Sequence, residues 1–329
     1  MAVDEESIYK RPYFFELFTL VNLAVIWALC LPRGFGVLPT MMQSAKASGA
    51  IAGQVLLGVA IRLGVAAARG GWRDYLRRIR TVGWLTDTLR LFLFTIVMIH
   101  TYGWIKLTVP VFHPRLFDAE LWNLDQFLFF GHSPTIFLLT LFRPILRAFD
   151  WSYANIFIAA VLIAFSYFLS APERRLRAGF ANGNTAMWIA GAWLYMALPS
   201  IGPVYHFPDV WFEYSRLFPT TQYYQIVLMR NYQAMMRLAA GGRDEPIVIV
   251  YGVAAFPSLH VAFLSYTFLW FRRLWRYGEI VFGIFVFVIF LGSMITGWHY
   301  MIDGLAGFAL AALCYVGARK WAFPPPENR

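Results

Sequence analysis

His299 and Asp303 stand four residues apart at the head of an apolar run, within Thr296-Gly297-Trp298-His299-Tyr300-Met301-Ile302-Asp303. A second histidine, His260, opens another such run in Ala255-Phe256-Pro257-Ser258-Leu259-His260. On a helix, residues i and i+4 share a face, with Cβ atoms about 5–6 Å apart. A carboxylate so placed can accept the proton of one imidazole nitrogen and fix the tautomer of the other. The free nitrogen is then a nucleophile. Pro257 suits the first turn of a helix, and exposed N–H groups at two helix starts favour an anion. Phosphate is the obvious one, although sulfate or carboxylate satisfies the same electrostatics. Ionisable residues at the mouth of a membrane helix are costly to keep and point to function. Together these residues suggest phosphoryl transfer through a histidine.

Helices must carry them to one place. The chain has 329 residues, 59% hydrophobic and 14% charged, with a mean hydropathy of +0.56. That is more apolar than a soluble domain, and runs long enough to cross a bilayer recur. Lipid forbids open sheet edges, so the expected fold is all-α, a polytopic transmembrane bundle. Eight spans are expected, at about 13–32, 48–68, 88–110, 152–171, 181–200, 256–272, 277–297 and 299–318. The first is read as a retained helix rather than a signal peptide.

Loop charges support an even number. Lys10 and Arg11, Arg69 to Arg80, Arg174 to Arg177, Arg272 to Arg276, and Arg319 with Lys320 then all fall on one side. By the positive-inside rule both termini are cytoplasmic. The formal net charge of +10 is read the same way rather than as a nucleic-acid surface, because no RNA-binding signature accompanies it. The strong preference for Arg over Lys suggests a GC-rich, bacterial source and hence an inner membrane. His260 and His299 are 39 residues apart, the length of one inward helix, a turn and one outward helix. They therefore return to the same depth, at the exoplasmic face.

Two longer connections reach that face. Val111–Asp150 carries an amphipathic segment from Asp118 to Asp125, expected in the interface, and an apolar stretch after Pro134 too short to span. Ile201–Val253 begins Gly202-Pro203-Val204-Tyr205 and carries Arg216, Arg230, Arg237 and Arg243 among four acids. His100, His113, His132 and His206 are read as anchors or satisfied polar residues. Ser258 is either a helix cap or a substrate contact. Cys30 and Cys314 sit in apolar stretches and suggest no disulfide framework. No P-loop, dinucleotide fingerprint or metal-ligand cluster occurs, so neither cofactor nor metal is expected.

Pro257-Ser258-Leu259-His260 and His299-x-x-x-Asp303 resemble the second and third motifs of the type 2 phosphatidic acid phosphatase superfamily of lipid phosphatases and phosphotransferases. Pro-Ser-Leu-His, Gly-Trp-His-Tyr and the upstream Gly-Pro-x-Tyr are more similar to the branch containing inositol phosphorylceramide synthase, a sphingolipid enzyme. The resemblance implies a six-helix phosphatase-like core at residues 85–318, preceded by a two-helix segment at 1–84 and followed by a cytoplasmic tail at 319–329. It implies that His299 attacks phosphorus to form a phosphohistidine, that Asp303 orients it, and that His260 protonates the leaving oxygen and then deprotonates the acceptor.

Two motif features depart from that pattern. Gly292-Ser293 stands where the third motif begins Ser-Arg, and Arg143-Pro144 lacks its upstream Lys, with Ile136 in that slot. The cationic phosphate clamp is thus missing, although a pentacoordinate transition state needs charge stabilisation. Arg216, Arg230, Arg237 or Arg243 is expected to supply it, beside Ser258, Tyr205 and Gly202 as substrate contacts. The leading expectation is a membrane phosphotransferase moving a phosphoryl-linked headgroup from a phospholipid to an alcohol or lipid acceptor. A lipid phosphate or polyprenyl diphosphate phosphatase is the alternative. A non-catalytic transporter or scaffold is a third, but a proton relay would spread its charges across the bilayer midplane, whereas these gather at one face.

Overall fold

The computed structural model describes residues 12–34, 41–242 and 247–322. Every regular element among them is a helix, as a chain of long apolar runs requires. Those of eight residues or more are, in order, α1 (Phe14–Cys30), α2 (Met41–Ala68), α3 (Trp72–Ile79), α4 (Val82–Phe112), α5 (Asp118–Leu128), α6 (Pro134–Leu141), α7 (Leu146–Leu169), α8 (Arg174–Ala197), α9 (Pro219–Ala239), α10 (Leu259–Leu274), α11 (Arg276–Ile295) and α12 (Met301–Ala322).

Six of these, α1, α2, α4, α7, α11 and α12, are long and apolar enough to cross a membrane. They mark an integral membrane protein. The expected spans at 181–200 and 256–272 are helical but differ in character. α10 has only 16 residues. α8 begins with arginines and buries Asn182, Asn184 and Thr185. Both are wrapped by protein, α10 by α11 and α12, and α8 by α4 and α12. Polar side chains facing a bundle interior find partners there. Asn182 accepts the Phe15 N–H at 3.1 Å, and Asn184 accepts the Trp188 indole N–H at 3.2 Å.

α1, α2 and α4 pack into the same core as the rest, while Tyr75 and Ile79 of α3 form a small separate cluster with Trp84. α2 lies against α7 and α4, and α1 against α4 and α8. Near the start of α4, Arg90 pairs with buried Glu16, while Asp87 accepts from the Tyr13 hydroxyl and pairs with Arg174 and Arg177. The amphipathic segment from Asp118 is helical as expected but not superficial. α5 buries Asp118, Leu121 and Asp125, and that face meets the start of α12.

Candidate active site

α11 ends in a tight turn that sets the position of His299. Gly297 adopts φ 79°, and a Cβ there would lie 2.7 Å from Trp211 and Val204, so only glycine fits. The Ser293 carbonyl closes the turn by accepting the N–H groups of Trp298 and His299 at 3.0 and 3.1 Å. α10 starts alongside. The Ser258 N–H donates to the Asp303 backbone carbonyl at 2.9 Å, and the Ser258 hydroxyl accepts from the Val261 N–H as the cap of α10. The helical hairpin thus brings His260 and His299 together, with ring centroids 5.9 Å apart.

His299 is 4% exposed and Asp303 is fully buried. Nδ1 of His299 lies 2.9 Å from the Ala255 carbonyl oxygen and 3.4 Å from Asp303 Oδ2. A carbonyl can only accept, so Nδ1 carries the proton and Nε2 keeps its lone pair. Nε2 has no hydrogen-bond partner among the described residues, and the ring lines a cavity of about 540 Å³. Asp303 Oδ2 also accepts the Tyr300 N–H at 2.9 Å. Ala255 is itself held in place, donating its N–H to the Ser200 carbonyl at 2.9 Å. The tautomer is therefore held by a main-chain carbonyl, with the carboxylate close behind.

His260 lines the same cavity. Its Nδ1 sits 3.3 Å from the Tyr153 hydroxyl, and Phe157 packs edge-on against its ring at 4.3 Å between centroids. From the histidines the cavity follows α4 from Lys106 back to Thr95 and α7 from Tyr153 to Phe165, with α2 as a third wall. At 1.5 Å per residue that is roughly 16–18 Å. Its surface is mostly apolar side chains, which suits a hydrocarbon chain.

The other expected contacts lie elsewhere. Ser258 is fully buried as a cap and does not line the cavity. Gly202 gives its N–H to Asp118 at 2.9 Å. Tyr205 donates to the Gln225 carbonyl at 2.9 Å and borders a separate shallow groove with Arg230. Arg216, Arg230 and Arg237 are exposed, and none lines the cavity. They belong to the polar segment between α8 and α10, where their exposed guanidinium groups are solvated. Arg243 lies outside the described residues. The structure does not bring the expected arginines to the histidines. Among the described residues, Lys106 is the only lysine or arginine lining the cavity.

Three further aspartates hold the frame of the site, in roles that residue type alone does not show. Asp118 accepts the N–H groups of Ile201 and Gly202 and the Tyr300 hydroxyl proton, the last at 2.8 Å. Asp125 accepts the first two N–H groups of α12, from Met301 and Ile302, at 2.6 and 2.8 Å. Asp150 does the same for Thr220 and Thr221 at the start of α9. They cap the segments that present the site. The signal was available: Asp118 and Asp125 are seven apart, hence on one helical face.

Burial pushes the Asp125 carboxyl from its ordinary 3.8 up to about 7, against the pull of the two N–H groups. The folded state then holds this proton more tightly than the unfolded chain. Its contribution is fullest below the ordinary value and is lost as pH rises through about 7. Asp125→Asn should flatten that part of a pH–stability profile measured in detergent. An unchanged slope would show that Asp125 does not titrate there.

A family profile described as the PAP2 superfamily matches residues 119–317, more than half of the chain and a range that holds His260, His299 and Asp303. The chain belongs to the PAP2 superfamily. Comparisons with curated proteins and with solved structures returned no match. PAP2 membership supports a lipid phosphatase- or phosphotransferase-type activity and membrane lipids as substrates. The PAP2 match begins inside α5, so α1 to α4, including Lys106, lie outside it.

Proposed function

We propose that this PAP2 protein is a phosphotransferase that moves a phosphoryl-linked headgroup from a phospholipid to an alcohol or lipid acceptor. The observation that carries the reading is the pair of imidazoles 5.9 Å apart at one end of an apolar cavity, with His299 Nε2 unpartnered. Nε2 attacks phosphorus, the bond from phosphorus to the leaving oxygen breaks, and His260 gives that oxygen a proton. The acceptor hydroxyl then loses its proton to His260, its oxygen attacks phosphorus, and the N–P bond breaks. Phosphorylated at Nε2 and protonated at Nδ1, the His299 ring is cationic. The buried Asp303 carboxylate is placed to offset that charge.

Residues 85–318 form the catalytic core in this reading. The basic loop clusters favour cytoplasmic termini and an exoplasmic site. Pro257-Ser258-Leu259-His260 and Gly297-Trp298-His299-Tyr300 favour the branch similar to inositol phosphorylceramide synthase. With water as acceptor the same groups would make a phosphatase, but the apolar walls favour a lipid.

Purified protein offered a panel of phospholipids with diacylglycerol, ceramide, inositol or water alone should yield exchanged lipid products by mass spectrometry. Free phosphate or free headgroup as the sole product would contradict transfer. His260→Ala should slow turnover about a hundredfold or more with alkoxide leaving groups. With an activated aryl phosphate ester it should slow much less, because that leaving group needs no proton. Equal losses with both would argue against its acid role.

A further inference from the structure

The missing clamp leaves the phosphoryl group without a cation from the family motifs. Ile136 and Ser293 stand where its Lys and Arg would be. Resting on the reading above, we propose that Lys106, on a helix outside the PAP2 segment, is the cation that binds the phosphoryl group of the lipid substrate.

Lys106 lines the same cavity as His260 and His299. It is partly buried and makes no ion pair or side-chain hydrogen bond among the described residues. Its ammonium rests over the rings of Tyr195 and Tyr102, 5.3 and 5.9 Å from their centroids. Such contacts hold a cation in place without neutralising it. An ammonium held without an anion inside a membrane bundle is costly, and a phosphate oxygen would relieve that cost.

The chain is also shaped to hold Lys106 in this position. Gly252 packs on its stem, where a Cβ would lie 2.8 Å from Cγ and 3.1 Å from Cδ. That strand of chain is secured from α9. The Asn231 amide donates to the carbonyls of Val248 and Tyr251 at 3.1 and 2.9 Å, and its oxygen accepts the Val248 N–H at 2.8 Å. The cation sits at the head of the apolar slot, so a phosphate reaching Lys106 and the histidines would carry its hydrocarbon down between α2, α4 and α7. The implied ligand is a lipid phosphate ester, mono- or diester, with its head at the His260–His299 level.

The test uses dodecyl phosphate as probe and dodecanol as its uncharged counterpart. Binding to the full-length protein in detergent is followed by tryptophan fluorescence, since Trp188 and Trp298 line the cavity. Lys106→Met, close in length and apolar, should weaken dodecyl phosphate binding about tenfold or more. Dodecanol binding should be unchanged, which shows that the cavity is intact. Lys106→Arg should restore most of the phosphate affinity. His299→Ala should still bind dodecyl phosphate while turning nothing over. Equal phosphate affinity in wild type and Lys106→Met would overturn the assignment of Lys106 and leave the histidine chemistry standing. A wild-type protein that does not distinguish dodecyl phosphate from dodecanol would overturn both.

Discussion

His299→Ala should reduce turnover about ten-thousandfold or more. In the proposed mechanism this ring forms the covalent bond to phosphorus, and His260 is occupied as acid and base. The Ala255 carbonyl and the Asp303 carboxylate lose their shared donor. Leaving buried acceptors unsatisfied costs about 1–3 kcal/mol each, more for a charge, so melting in detergent falls as well. His299→Gln separates the two effects. Its amide can still donate towards Ala255, so stability recovers while turnover stays absent. Turnover within tenfold of wild type in either variant, measured on purified protein, would remove His299 as the nucleophile.

Asp303→Asn is the second large effect, a loss of about a hundred- to ten-thousandfold in kcat. The substitution keeps the shape, and an amide oxygen can still accept the Tyr300 N–H that Oδ2 now holds. What it removes is negative charge 3.4 Å from His299 Nδ1. That charge matters most when the ring becomes cationic on phosphorylation, so the loss falls on kcat rather than on substrate affinity. A variant with raised KM and unchanged kcat would show that Asp303 shapes the pocket only. Near-normal kinetics would leave the Ala255 carbonyl sufficient to set the tautomer.

The grouping of His260, His299 and Asp303, proposed here as catalytic, was legible because its parts are close in sequence. Asp303 lies in the first turn of α12 and His299 two residues before its start, and a single hairpin of helices returns the chain from His260 to His299. An all-helical bundle followed from apolar runs alone. The rest was hidden for physical reasons. Ala255 acts through its carbonyl, and a main-chain acceptor leaves no mark in residue type. Lys106 enters from α4, far from either motif, and only packing shows that it reaches the cavity. The arginines between α8 and α10 have the right charge and lie near the motifs in sequence, yet Arg216, Arg230 and Arg237 are exposed. Ser258 left two roles open, and its buried hydroxyl serves the helix start. α8 and α10 read as spans by position. Their small or polar residues and short length reflect burial by protein, a distinction that hydropathy along one strand of sequence does not make.

The central claim is that His299 carries the phosphoryl group between donor and acceptor. It is tested most directly by incubating wild type with the donor identified in the lipid panel and omitting the acceptor. The protein is then quenched in alkali, where a phosphohistidine bond survives, and peptides are mapped by mass spectrometry. The account predicts an added phosphoryl group, with its headgroup if the donor is a diester, on the peptide bearing His299, absent from His299→Ala and discharged when acceptor is supplied. An active enzyme that never acquires the adduct, or acquires it at another residue, would contradict it.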